Sequence, residues 1–554
     1  MTARALELAR GRLAKIAVLV TIAAALVVAA AMPRGLFSGD EGLKLAQTQE
    51  LIASDFTSAE VHDRGRRYAK HRRANLYTAE NPGFVYYEPG TTRIYGTYPL
   101  LYPLLAVPPY LIGGPFAVAA LSLLGFAIAQ ALIARLARRC LGSDAAAAAV
   151  VLITGLTSPL LFYSSLVFEH TLSVAALLGA ITLMVHEPPG HRRAAIAGAL
   201  FGLATCFRTE LLAFAPPMAM VVAWALGVRV RSWTRWLAFG AGAAGVVGLF
   251  LLAHHLTTPF WHPTLMVSAQ AAPSKLAQRF IQLVPKGQYI PGQIAALVTV
   301  VGSVLVLVTG RLRERLRLAL TVIATLGWGV LVIDAIGDVD GSKVRTLTGL
   351  VTATPLVVLA VVRGINRGDR ESPTGVLALA GLVFLATVVL LPKRGSGGGL
   401  ELGSRYMLPI VPLLVIAAVD HARRRRVYLG CAAALVALGA WATVVNLRCE
   451  RDVRGLGANI VTAIETAKVD AMLTTNWWVA QLAIPTQGRT ALFVSRRPTK
   501  VYEDLYDAGV RRVIVLRGGA PPADGRVKVR RIGDTPPADK RLGPSIYELY
   551  EPAK

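Results

Sequence analysis

The 554-residue chain is short of charge, of acidic residues in particular, and of cysteine. Charged side chains make up 17% of it against 54% hydrophobic residues, and the mean hydropathy is +0.51. That balance excludes a single water-soluble core. Asp and Glu total 33 and Lys and Arg 59, a formal net charge of +26. The arginines gather in short loops between apolar runs, which is the positive-inside bias of a membrane protein rather than a nucleic-acid surface. Of Cys140, Cys206, Cys431 and Cys449, only Cys449 is placed on the outer side, so no disulfide framework is available. None of the four has metal-ligand spacing. The paired halves with interrupted helices that mark a secondary transporter are also missing. The string Gly240-Ala-Gly242-Ala-Ala-Gly245 fits a dinucleotide fingerprint letter for letter. It lies inside an apolar run with no preceding strand, where small residues instead let helices approach closely.

What is present is a series of apolar runs near ~20 residues, the length a bilayer demands. The N-terminus imitates a secretory signal, with Arg4, Arg10, Arg12 and Lys15 before the run and Ala29-Ala30-Ala31 after it. That run, about 17 residues, exceeds the ~7–15 of a signal core, so a retained first helix is expected, with cleavage after Ala31 as the alternative. With the Arg-rich N-terminus cytoplasmic, alternation gives about thirteen spans and an outer C-terminus. The stretch from Tyr98 to Tyr110, with four prolines, reads as interfacial or re-entrant rather than as a clean span. A hairpin of two shorter helices is expected around Arg208-Thr-Glu210. The fold class is therefore mostly α, a polytopic transmembrane helical bundle of about 11–14 spans. Residues 1–445 form the membrane part, with a first outer loop at about 33–98, and residues 446–554 a small extracytoplasmic α/β domain. In that domain strands at 470–474, 490–494 and 511–516 alternate with helices. It has no Gly-rich phosphate loop, and a packing or acceptor-docking role is the default.

Asp40 and Glu41 are the leading candidates, because two carboxylates open the loop directly after the first span and interfacial acids are usually functional. A helix cap accounts for one carboxylate but not for both. Glu169 and His170 occupy the next outward turn, where they either join two helices or face Asp40 across a cavity and orient an acceptor. His254, His255 and His262 lie at a third outer loop beside Trp261. They are weak metal candidates, since interfacial His and Trp more often anchor headgroups. In the outer loop from Lys393 to Pro409, glycines permit close backbone approach and Lys393, Arg394 and Arg405 suit a phosphate. Asp338-Val-Asp340-Gly341 starts like a calcium loop but lacks its later bidentate Glu, and Lys343 and Arg345 follow it as a weaker basic pair.

Together, Ser38-Gly-Asp-Glu-Gly-Leu-Lys-Leu-Ala-Gln47, Tyr98-Pro-Leu-Leu-Tyr-Pro103, Tyr163 to His170 and Gly403-Ser-Arg-Tyr-Met-Leu-Pro409 resemble membrane glycosyltransferases of the C-type superfamily. The protein-mannosyltransferase and aminoarabinose-transferase branch is the nearest in look. The resemblance covers Lys15 to about Val445. It implies a sugar donor on a polyprenyl phosphate, a glycan, lipid or protein acceptor, and inverting transfer on the periplasmic face of a bacterial inner membrane. Asp40 would be general base, with Glu41 orienting it. Glu169 and His170 would serve the acceptor, and Arg405 with Lys393, Arg394 and Tyr406 the departing phosphate. No cofactor is required on this reading, and a divalent metal is not expected. Glu169-His170 departs from the family, where an Asp is usual in the second outer loop. A glycan ligase or polymerase with a diphosphate-linked donor is the rival, with a transporter behind it.

Overall fold

A computed structural model describes residues 11–61, 85–88, 91, 93–186, 189–226, 232–261, 314–340, 347, 349–364, 372–390, 403, 405–486, 490–495, 498–516, 525–534 and 545–550. Lys393, Arg394, His262, Lys343 and Arg345, and the span expected at 292–309, lie outside these residues. The described chain is mostly helical. Among the described residues seven helices are long and apolar enough to cross a membrane: Arg12–Ala31, Pro115–Leu141, Thr209–Leu226, Trp233–Thr257, Pro373–Leu390, Arg405–Ala422 and Arg426–Ala467. Four shorter apolar helices accompany them. The protein is a multi-pass membrane protein with a small C-terminal sheet, as its composition requires.

Two compact units make up the chain. The first comprises Met1–Ala31, Ala119–Phe250 and Ala271–Cys449. Its helices pack closely through small residues. The Leu13 amide donates to Asp144 Oδ2 at 2.8 Å, which caps the start of Arg12–Ala31, and Ser143 caps Asp144–Leu156 through the Ala146 amide. The glycine string of the discarded fingerprint is helical, within Trp233–Thr257. A Cβ on Gly242 would stand 2.0 Å from the Ala195 carbonyl oxygen, while one on Gly240 or Gly245 would meet nothing. One glycine of that string therefore serves helix contact. Several apolar runs are interrupted. Asp144–Leu156 gives way to Pro159–Tyr163, Leu350–Ala353 to Val357–Gly364, and His191–Phe207 to the 3₁₀ turn Thr209–Phe214 at Arg208. Pro159 and Pro355 lie in two of these breaks, since proline cannot donate to the helix and biases its predecessor away from it.

The second unit comprises Met32–Val118, Leu251–Gln270 and Glu450–Lys554. It holds the helix Gly39–Ala53, an antiparallel hairpin of β1 (Val85–Tyr87) and β2 (Ile94–Gly96), and the helix Leu101–Gly113. The proline-rich stretch is this 13-residue helix, shorter than any of the seven candidate spans. Pro103 lies in its first turn, where the missing N–H has no intrahelical role. Only Pro108 and Pro109 lie in its interior. The C-terminal strands are β3 (Ala471–Thr474), β4 (Ala491–Val494), β5 (Arg512–Leu516), β6 (Lys528–Asp534) and β7 (Ser545–Tyr550), in the order β4-β3-β5-β7-β6. β3 pairs parallel with β4 and β5, and β7 runs antiparallel between β5 and the edge strand β6. Leu473, Phe493, Tyr502, Leu505, Val513 and Leu549 fill the core beneath it. The first three strands match the expected alternation. The last two were not anticipated, because Val, Ile and Tyr alternate there with Arg and Glu without flanking helices.

The helices expected separately at 427–445 and 456–467 are one helix, Arg426–Ala467, of 42 residues. Hydropathy falls near Asn446, but a polar stretch free of proline continues a helix as readily as an apolar one does.

Candidate active site

In the second unit, Asp40 and Glu41 lie in the first turn of Gly39–Ala53. Two carboxylates there complement the positive end of the helix dipole. Their duties differ. The Glu41 carboxylate reaches back to accept the backbone N–H groups of Phe37 and Ser38, the latter at 3.0 Å, the carboxylate half of a Ser-x-x-Glu capping box. The backbone N–H of Ser38 is thereby met by the second carboxylate of the pair. Asp40 is 8% exposed.

The residues before this helix and its first turns are contacted by residues more than 400 positions later in the chain. Arg454 Nε donates to the carbonyl oxygens of Pro33 and Gly35, each at 3.1 Å. Its Nη1 pairs with the buried Glu450 at 3.2 Å. Gly39 and Gly42 face the helix Trp477–Leu482, where Gln481 leaves no room for a Cβ at either position.

One buried residue of this helix was not singled out from the sequence. Lys44 is 2% exposed, and its Nζ stands 4.7 Å from the Tyr98 ring centroid and 5.8 Å from that of Tyr102, in cation–π range. It follows Asp40 by four residues, so the two occupy one helix face. That spacing was visible in Asp40-Glu-Gly-Leu-Lys44 and is the signal that could have found it. Gln47 continues the face by donating to the Tyr98 carbonyl at 3.2 Å.

His254 belongs to the same unit, with Nδ1 2.9 Å from Thr258 Oγ1 and 3.1 Å from the Phe260 carbonyl. His255 stacks on Trp261 at 4.1 Å. These are the local contacts of a structural histidine and of an anchoring pair. Among the described residues no three His, Cys, Asp or Glu side chains come together as a metal site.

In the first unit, His170 opens the helix His170–His186 and Glu169 precedes it. Both are buried. His170 Nδ1 lies 3.5 Å from Glu169 Oε1, and its ring stacks on Tyr163 at 4.6 Å with Phe168 at 4.7 Å. The sequence elements Tyr163 and His170 are thus brought into contact. Arg405 and Tyr406 begin the 3₁₀ turn Arg405–Ile410. Gly403 before them adopts φ of +56°, and a Cβ there would stand 2.6 Å from Pro159, so only glycine fits. The Arg405 guanidinium lies 5.4 Å from the Tyr406 ring centroid, and Arg208 lies 5.6 Å from the same ring. Arg208 Nη2 is 3.5 Å from Glu210 Oε1. This union of the hairpin break with the outer loop was not evident from spacing, since 197 residues separate Arg208 from Arg405. Asp338 and Asp340 end the helix Glu314–Asp340, so their stretch is helical backbone and does not start a calcium loop.

No family model matches the chain, and no curated protein matches it significantly. Among solved structures it is similar to ArnT from Cupriavidus metallidurans bound to undecaprenyl phosphate, at 12% identity over 96% of this chain and 97% of that one, with a TM-score of 0.46. The apo form of the same protein gives 14% identity over 96% and 97%, with a TM-score of 0.44. The Archaeoglobus fulgidus oligosaccharyltransferase in its apo form gives 10% identity over 90% of this chain and 69% of that one, with a TM-score of 0.47.

Proposed function

We propose that this chain is an integral membrane glycosyltransferase that moves a sugar from a polyprenyl-phosphate donor to a hydroxyl acceptor on the periplasmic face of a bacterial inner membrane. The observation that carries the reading is the division of labour at the acidic pair. Glu41 seats the helix by accepting the Phe37 and Ser38 N–H groups, and the buried Asp40 beside it lies on a helix whose approach, at Pro33 and Gly35, is held by Arg454 and whose Gly39 and Gly42 pack on Gln481. A buried acid fixed this firmly after the first span suits proton transfer.

On this reading the acceptor hydroxyl gives its proton to Asp40 as its oxygen attacks the anomeric carbon. The anomeric bond to the phosphate oxygen breaks in the same displacement, inverting the configuration, and its electron pair leaves with the lipid phosphate. Arg405, with Tyr406, stabilises that phosphate as charge grows on it. Lys393 and Arg394 belong to the same loop. Glu169 and His170, in contact with each other and backed by Tyr163, serve the acceptor. Glu41 acts through the position of Asp40 and is a positioning residue. The acceptor is a glycan, lipid or protein, and no cofactor takes part.

Purified protein in lipid, given radiolabelled polyprenyl-phosphate sugars and cell-envelope acceptors, tests this. Release of label by the wild type and not by Asp40→Asn is the expected result. Turnover only with diphosphate-linked donors would replace the reading with a ligase or polymerase, and an active Asp40→Asn would remove the base.

A further inference from the structure

Arg208 is 5% exposed and sits at the break between the helix His191–Phe207 and the turn Thr209–Phe214. Its Nη1 is buried and has no hydrogen-bond partner among the described residues. The neighbouring Nη2 reaches Glu210 only at 3.5 Å, the outer limit of a hydrogen bond. A guanidinium has five donors in a planar fork, and leaving one edge unmet in a buried place is costly. Arg405, Tyr406 and Glu210 around it are half-buried. Arg208 and Arg405 approach one ring, that of Tyr406, at 5.6 and 5.4 Å. Two guanidinium groups are thus brought to one aromatic ring, with Glu210 beside Arg208.

We infer that Arg208 is a second phosphate-binding residue that takes up the charge created by the reaction, resting on the donor class proposed above. The polyprenyl-phosphate sugar is a phosphodiester with one negative charge. When the anomeric bond breaks, the electron pair stays on the phosphate oxygen and the lipid leaves as a phosphomonoester, with about −1.5 to −2 charge near neutral pH. The second charge of the product draws Arg208 away from its loose contact with Glu210, and the orphaned Nη1 edge supplies a hydrogen-bond donor for it. Arg208 is therefore a contact made mainly to the departing phosphate and only weakly to the bound donor, which is the condition for raising the rate rather than the affinity for substrate.

The test uses the full chain in nanodiscs and two probes, undecaprenyl phosphate and its methyl diester, with binding measured for wild type, Arg208→Ala, Arg208→Lys and Glu210→Gln. The expected result is a tenfold or greater loss of monoester affinity in Arg208→Ala with less than threefold loss for the diester. Glu210→Gln, which frees Arg208 without removing it, should bind the monoester more tightly, and Arg208→Lys should recover part of the loss. Equal losses for both probes, or no loss in folded Arg208→Ala together with unchanged affinity in Glu210→Gln, overturns the inference while leaving the donor class standing. Failure of the wild type to bind either lipid overturns the donor class as well. If Arg208→Ala does not fold, Glu210→Gln alone decides, because selective tightening toward the monoester is expected of no structural role.

Discussion

Gly42 stands against the backbone of Gln481: a Cβ added to it would lie 2.5 Å from the Gln481 carbonyl oxygen and 2.8 Å from Ile484 Cδ1. The helix that carries Asp40 is thus pressed onto the C-terminal segment at a position where only hydrogen fits. Gly42→Ala should destabilise the protein by about 1–3 kcal/mol through overpacking. Gly240→Ala, where a Cβ meets nothing, should be neutral or stabilising by up to about 1 kcal/mol, since alanine is the better helix former. Thermal unfolding in detergent distinguishes the two, and equal melting temperatures would refute the close contact.

The two acids should separate by phenotype. Asp40→Asn is expected to abolish sugar transfer with an unchanged melting temperature. Glu41→Gln replaces an ionised acceptor of the Phe37 and Ser38 N–H groups by a neutral one and should cost about 1–3 kcal/mol of stability, with activity retained in the fraction that stays folded. Parallel melting and turnover assays check this, and a stable but inactive Glu41→Gln would give Glu41 a part in the chemistry.

Arg454 closes the buried pair with Glu450 and holds the Pro33 and Gly35 carbonyls. Arg454→Ala should cost about 3–5 kcal/mol, because it leaves a buried carboxylate uncompensated. Restoring neutrality with Arg454→Met and Glu450→Gln together should return part of that stability. A double-mutant cycle on unfolding measures the coupling, and additive effects would show the pair to be incidental.

Tyr502 is buried in the core of the C-terminal sheet, and its hydroxyl has no hydrogen-bond partner among the described residues. Burial, with a smaller push from Tyr547, raises its pKa well above the ordinary phenol value. In the unfolded chain it ionises near pH ~10. Above that pH the unfolded state binds fewer protons than the folded one, so stability falls as pH rises. Tyr502→Phe should flatten this alkaline loss and be neutral or slightly stabilising at pH 7. A pH series of melting curves decides it.

The membrane spans were legible because ~20 apolar residues leave a mark that no soluble helix imitates, and the strands at 471–474, 491–494 and 512–516 were legible from their alternation with helices. Asp40 was singled out by its place after the first span. Lys44, one turn away, was passed over because a lysine at a helix start looks solvated until Tyr98 and Tyr102 are seen around it. The end of the membrane part was read from falling hydropathy at Asn446, and that signal says nothing of the helix, which continues to Ala467. Arg208 was read as part of the turn between two shorter helices. Its neighbour Arg405 is reached only through tertiary packing, which spacing does not encode.

The contacts of Arg454 with Pro33 and Gly35 join residues 421 and 419 positions apart, and this has a bearing on how the protein comes into being. During synthesis the helix with Asp40 emerges first, and Arg454, which secures its approach, follows 421 residues after Pro33. A ribosome that stalls or stops early therefore yields a membrane protein with its acid in place in sequence but unsupported in space. Long-range closure of this kind is slow to form. A chain halted before Arg454 therefore sits in the bilayer with the approach to its acid helix unsecured.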